Sequence, residues 1–224
     1  MSIILYELQG KNDLRFSPYC WRSRMALLHK KLDAVFEPVL FSQKEKIEFS
    51  NQTLVPILCD ASQIICDSWS IACYLDDNYK DYPTLFGDQK ARSLTKQFNY
   101  WVDIIIHPLL AKAIMIDVFE YAVADQDKNY FRKSREKRFG MSLEKFSSRS
   151  KEDIKQLQNA LKPLSATLRD QAFIAGNSPS YADYILFGSV KFALLTCPRV
   201  IFPKDGSIGE WVNRMTNYYS KNED

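Results

Sequence analysis

The chain has 224 residues, 46% hydrophobic and 25% charged, and its 30 Lys and Arg against 27 Asp and Glu leave a net charge of +3. That length holds one large domain or two small ones, and a chain of this size buries roughly 70% of its unfolded surface without disulfide or metal staples. A charge so small and so spread argues against a nucleic-acid partner, seven Gly and nine Pro exclude collagen-like and low-complexity structure, and no apolar run approaches the ~20 residues of a membrane span.

The opening residues, Met1-Ser2-Ile3-Ile4-Leu5-Tyr6-Glu7, read as the start of a strand and lack the basic and apolar regions of a signal peptide. The cysteines, Cys20, Cys59, Cys66, Cys73 and Cys197, are odd in number and form no C-x-x-C pair. Reduced thiols in a cytoplasmic protein are therefore expected. His29 and His107 have no second ligand at metal spacing, so no metal is expected.

The first eighty residues alternate short elements. Residues 3–8 predict a buried strand, 18–31 a helix, 35–41 a second strand, and 42–49 a short helix or loop. Residues 55–59 and 63–66 predict two strands across a turn at Asp60-Ala61-Ser62, and 68–79 a helix. The first β-α-β should be a parallel crossover, and the last two strands antiparallel. A four-stranded mixed sheet flanked by helices is the thioredoxin architecture. Pro83 and Gly87 interrupt the pattern, and helical spacing takes over. Leu94, Phe98, Trp101, Val102, Ile105 and Leu109 predict one helix; Ile154, Leu157, Leu161, Leu164 and Leu168 predict another, kinked at Pro163. Ser180 and Asp183 predict a capping box, and residues 209–219 a last short helix. The reading is an α/β thioredoxin-like domain over 1–80, a linker over 81–88 and an all-α domain over 89–224. The charged stretch 127–153 reads as a solvated helix face and loop.

Three positions invite chemistry. Ser17-Pro18 is a helix N-cap followed by an N1 proline. A helix start that follows the first strand also lies at the sheet edge where open α/β sheets bind ligands, and its free N–H groups suit an anion such as a thiolate. Val55-Pro56 is either a plain strand start or a cis bond whose neighbouring backbone can pair with an extended peptide. Asp67-Ser68 is a helix cap that also suits an ammonium and a carboxylate. Together the three describe a ligand with a thiol, a peptide backbone and an amino-acid end, which is γ-glutamyl-cysteinyl-glycine.

With these motifs the chain resembles the glutathione transferases over nearly its whole length. Phe173 to Asp183 looks like the family's capping-box segment. Phe16-Ser17-Pro18-Tyr19-Cys20-Trp21-Arg22-Ser23, Val55-Pro56-Ile57-Leu58, Asp67-Ser68-Trp69-Ser70 and the stretch from Phe131 to Gly140 resemble the etherase-like branch, which includes β-aryl-etherases and fungal relatives that bind aromatic ligands. The resemblance implies glutathione as co-substrate, Ser17 as the residue that activates its thiol, Val55 beside a cis Pro56 on the cysteinyl backbone, and Asp67 and Ser68 on the γ-glutamyl end. Gln43, with Lys44 close behind, is the choice for the glycine carboxylate. Tyr19, Trp101, His107 and Tyr121 are candidates for an aromatic-substrate pocket between the domains, and a homodimer is implied. Arg22 and Arg24 read either as a positive field at the thiol or as ordinary surface or interdomain pairs. Cys20, where a redox relative would have the second cysteine of a C-x-x-C, is expected to be a buried helical thiol. The alternative is a non-catalytic protein that holds glutathione and an aromatic ligand.

Overall fold

The computed structural model describes residues 3–222. Strand β1 (Ile3–Leu8) alternates buried and half-buried side chains, as a central strand between two layers does. Helix α1 (Pro18–His29) returns the chain to β2 (Ala34–Val39), parallel to β1; a parallel pair needs such a crossover. A 3₁₀ segment (Lys44–Ser50) leads to the hairpin of β3 (Ile57–Asp60) and β4 (Gln63–Cys66), with β3 antiparallel to both β1 and β4. The sheet order is β2-β1-β3-β4, and α2 (Ser68–Asn78) follows directly. The thioredoxin-like architecture is as the residue pattern predicts.

The rest is helical: α3 (Gln89–Trp101), a π turn (Val102–Ile106), α4 (His107–Asp117), a second π turn (Val118–Ala122), then α5 (Lys128–Phe139), α6 (Leu143–Phe146), α7 (Lys151–Ala160), α8 (Lys162–Asp170), α9 (Tyr181–Thr196) and α10 (Gly206–Asn222). The last helix, expected to be short over 209–219, runs for 17 residues, and two other predicted helices differ from expectation, each at a proline. The helix through Leu94 and Leu109 loosens into the π turn just ahead of Pro108, whose missing N–H leaves one carbonyl of the preceding turn without its α-helical partner. Pro163 does not kink one helix; it sits in the first turn of α8, and the chain breaks at Leu161 instead.

The central beam is α9, buried over most of its length. It packs along α1, and Gly188 permits that approach. A Cβ there would lie 2.3 Å from the Pro18 carbonyl oxygen. The capping box forms: Asp183 accepts from the Ser180 N–H at 3.0 Å and from the Trp211 indole at 2.9 Å, and burial raises its pKa. Among the described residues no helix is long and apolar enough to cross a membrane, and no cluster of His, Cys, Asp or Glu is arranged to hold a metal ion.

Candidate functional site

Strand register brings the candidate residues to one edge. Leu8 at the C-terminal end of β1 pairs with Val39, while Tyr6 pairs with Ile57, which pairs with Cys66. The end of β1, the end of β2, the start of β3 and the end of β4 therefore stand side by side. Ser17, Gln43, Val55 and Asp67 all follow or precede these ends within a few residues. The sheet edge at the carboxyl ends of β1 and β2 is where such folds take ligands.

Ser17 caps α1. Its Oγ accepts the Cys20 N–H at 3.3 Å, and only 6% of the residue is exposed. Its hydroxyl also lies close enough to the Cys20 sulfur to favour the thiolate weakly, but burial dominates and pushes the Cys20 thiol up to about 12. Cys20 is thus a packed neutral thiol, as the sequence suggests. Burial of this kind is the opposite of what activates a cysteine.

Val55 precedes a cis bond to Pro56. Among the described residues its N–H and C=O have no backbone partner. Asp67 caps α2 with φ 66° and ψ 148°, a region that side-chain-bearing residues rarely enter. Its carboxylate offsets that strain by accepting the Trp69 N–H at 2.7 Å, the Ser70 N–H at 3.2 Å and the Ser70 hydroxyl at 2.6 Å. The carboxylate itself remains exposed, with lone pairs to spare. Asp67, Trp69 and Ser70 face Lys96, Asn99 and Asp103 across a cleft of about 380 Å³. Ser68 is buried, and its carbonyl accepts the Tyr181 hydroxyl at 2.6 Å. Gln43 turns inward, its side-chain oxygen accepting the Leu40 N–H at 3.3 Å, while Lys44 donates to the Thr53 carbonyl at 2.5 Å.

The helical half supplies residues that the sequence did not single out as part of the site. Asp127 is buried, and its two oxygens accept the Phe41 and Ser42 N–H groups at 2.9 and 3.0 Å, fixing the segment that carries Gln43. Asp127 and Phe131 are therefore core, not part of a solvated face. Arg22 is buried and reaches the Ile185 carbonyl, Asn99 and Asp103 at 3.2, 3.2 and 2.7 Å, so it is an interdomain tie. Arg24 is bound to buried Glu7 within the first half. Of the aromatic-pocket candidates, Tyr19 and His107 meet at 5.5 Å between ring centroids. Trp101 instead packs on Phe98, and Tyr121 is 54% exposed. The side chains of Tyr19 and His107 bridge the two halves; burial lowers the His107 pKa to about 4 and raises that of Tyr19.

Residues 93–218 match the glutathione S-transferase C-terminal domain, and residues 13–83 match the N-terminal domain. The chain belongs to the glutathione S-transferase family. A glutathione S-transferase-like protein of Aspergillus flavus is 26% identical over 156 residues, 59% of this chain and 54% of its own length. Glutathione S-transferase 1 of Dianthus caryophyllus is 30% identical over 134 residues, 58% of this chain and 60% of its own. The chain thus spans little more than half the length of these curated relatives. In fold, the chain is similar to a glutathione S-transferase of Ceriporiopsis subvermispora crystallised with glutathione, with a TM-score of 0.88 at 20% identity over 100% of this chain and 98% of that one. A Phanerochaete chrysosporium glutathione transferase gives 0.87 at 19% identity, covering 97% of both chains.

Proposed function

We propose that the chain is a cytoplasmic glutathione transferase in which Ser17 stabilises the glutathione thiolate for attack on an aromatic electrophile. The observation that carries this reading is the shared sheet edge of the Ser17 cap, the unpaired Val55 backbone and the Asp67 cap. Ser17 donates to the bound sulfur, Val55 pairs with the cysteinyl backbone beside Pro56, and Asp67 with Ser68 holds the γ-glutamyl end. Gln43 and Lys44 serve the glycine carboxylate. Residues 1–80 carry this tripeptide site, 81–88 link it to the helical half, and 89–224 supply the second substrate's walls.

A free thiol has a pKa near 8.5, and lowering it by about two units takes roughly 2.7 kcal/mol. One hydroxyl bond to an anion, ~1.5–3 kcal/mol, with a helix start at ~0.3–1 kcal/mol, covers that amount. The thiol proton leaves to solvent. The sulfur then forms a bond to carbon, and the leaving group departs with its electron pair. For a β-aryl ether that group is an aryloxide, which takes up a proton. The resemblance of the Phe131–Gly140 stretch and the Ser17 motif to the etherase-like branch favours such ethers.

The second reading is a binding protein without turnover. It keeps the same tripeptide site, with the Ser17 hydroxyl serving only as the cap of α1, where it accepts the Cys20 N–H. Glutathione titration followed by an assay of a chloroaromatic and of a β-aryl ether separates the two. Turnover of either electrophile, lost in Ser17→Ala, supports the transferase; tight binding with no turnover supports the second reading. We also propose a homodimer, supported by Leu94, Tyr100, Ile104 and Ile105, all exposed on α3 and the π turn. A monomeric mass in analytical ultracentrifugation would rule it out.

A further inference from the structure

A second cleft, of about 240 Å³, lies wholly within the helical half and shares no residue with the tripeptide site. Ile116 of α4 and Phe119 of the second π turn give it an apolar floor, and π turns of this kind recur at functional sites. Its other walls are charged. Arg132 of α5 meets Glu144 of α6 at 2.9 Å, and Arg149 meets Glu120. All four of these side chains line the cleft, two of each sign.

The frame around these charges is fixed. Glu136 accepts from Arg132 at 3.0 Å and from the Leu143 N–H at 3.2 Å, and Phe139 stacks on Phe146 with ring centroids 3.6 Å apart, which holds α5 to α6. Arg149 stands at φ 58°, a region that side-chain-bearing residues seldom enter, and buried Asp117 holds its guanidinium at 2.8 Å. Arg132 lies over the Phe119 ring, 4.5 Å from its centroid, so it keeps its place when its carboxylate partner changes. One wall is unsatisfied. Ser147 lines the cleft at 1% exposure, and among the described residues its buried hydroxyl has no hydrogen-bond partner. A hydroxyl in that condition costs stability until a polar group answers it.

Charge matching decides which group can do so. The Arg132–Glu144 pair is solvent-accessible, and such pairs are worth little and exchange partners readily. A lone anion on Arg132 would leave Glu144 unpaired beside it, and a lone cation on Glu144 would release Arg132. A molecule carrying both charges replaces one ion pair by two and strands neither residue. The cleft is smaller than the ~300–1,000 Å³ of drug-sized sites, so it suits a single amino acid better than a tripeptide. We propose that it binds a free apolar α-amino acid, with the carboxylate on Arg132 and the Ser147 hydroxyl, the ammonium on Glu144, and the side chain against Ile116 and Phe119. The site stands independently of the transferase reading.

Calorimetric titration of the full chain with L-leucine, 4-methylpentanoate and 3-methylbutylamine tests it, since the last two keep the leucine side chain and lose one charge each. The wild type should bind leucine at least tenfold more tightly than either. Ser147→Ala, which gives up no bond of the fold, should weaken leucine about fivefold. Glu144→Gln should weaken leucine about tenfold and tighten 4-methylpentanoate, a reversal that a loosened fold would not produce. No binding of leucine, equal binding of the three compounds, or a leucine affinity unchanged in either variant overturns the proposal. Glutathione has an amino-acid end of its own, so leucine is also titrated at saturating glutathione and into Asp67→Ala, and its affinity should hold in both. Leucine displaced by glutathione, or lost in Asp67→Ala, would belong to the tripeptide site, and the proposal fails. A chain that bound leucine and not glutathione would end the transferase reading and leave this one standing.

Discussion

The starts of α1 and α2 are built on the same plan and tuned to opposite ends. Each follows a strand that runs to the same sheet edge, and each is capped by an oxygen of its own side chain. At α1 the cap is a neutral hydroxyl, Ser17, in ordinary extended backbone at φ −63° and with 6% exposure. At α2 it is an exposed carboxylate, Asp67, at φ 66°, held by three donors. A buried helix start with a hydroxyl favours negative charge and excludes water. An exposed carboxylate favours an ammonium. In the proposed function, charge type and burial, more than backbone plan, assign the two ends of one ligand to the two caps.

The comparison breaks most sharply at Ser17. Ser17→Ala should slow transfer about a hundredfold at pH 7, since a bond to an ion is worth ~1.5–3 kcal/mol, while glutathione affinity stays within about threefold of the wild type. Its pH–rate profile should move upward by about two units, and Cys20→Ser should leave both unchanged. Full activity in the first variant with loss in the second would reverse the roles. Gly188→Ala should force α9 away from the Pro18 carbonyl and destabilise the chain by about 1–3 kcal/mol, read as a lowered melting temperature. An unchanged melt would mean that the α1 start does not depend on that close approach. Asp67→Ala should weaken glutathione binding about tenfold and remove a cap worth ~1 kcal/mol; calorimetry with unaltered affinity would take Asp67 out of the site. The smallest effect is in acid. His107 is held neutral with a pKa of about 4, below its ordinary 6.5. The unfolded chain therefore binds the proton first, and the stability this gives is whole above about pH 6.5 and lost as pH falls through 4. Denaturation of His107→Phe should show that slope reduced by on the order of 1 kcal/mol per pH unit near pH 5. His29 is lowered as well, by burial, and should leave a residual slope in that variant.

Sequence reading went furthest where geometry is local. The cap at Ser17 and the Ser180–Asp183 box are settled by a few neighbouring residues, and each stands where the pattern put it; the pattern left the bond before Pro56 open, and it is cis, while β1, expected to be continuously buried, alternates. Pro108 was equally visible, but the six apolar positions around it outweighed its missing N–H, so the π turn was not foreseen. Asp127 and Tyr181 were illegible for another reason. Asp127 looks like one more acid in a charged run until folding lays it against Phe41 and Ser42, 86 and 85 residues away in sequence. Tyr181 gives no local sign that its hydroxyl will reach Ser68, 113 residues earlier. Arg138 is exposed, as a solvated charged run implies, whereas Arg135 lies over the Phe41 and Phe131 rings, and a run of mixed charge carries no mark of which member will do so.

Helix α9 gives these contacts a common scale. Tyr181 on its first turn fixes the Ser68 carbonyl at the start of α2, and Gly188 two turns on receives the Pro18 carbonyl at the start of α1. Seven residues of helix at about 1.5 Å each set those supports about 10 Å apart along its axis. The rod works as a brace: the helical half, which contributes neither cap, touches the start of both capped helices along one face.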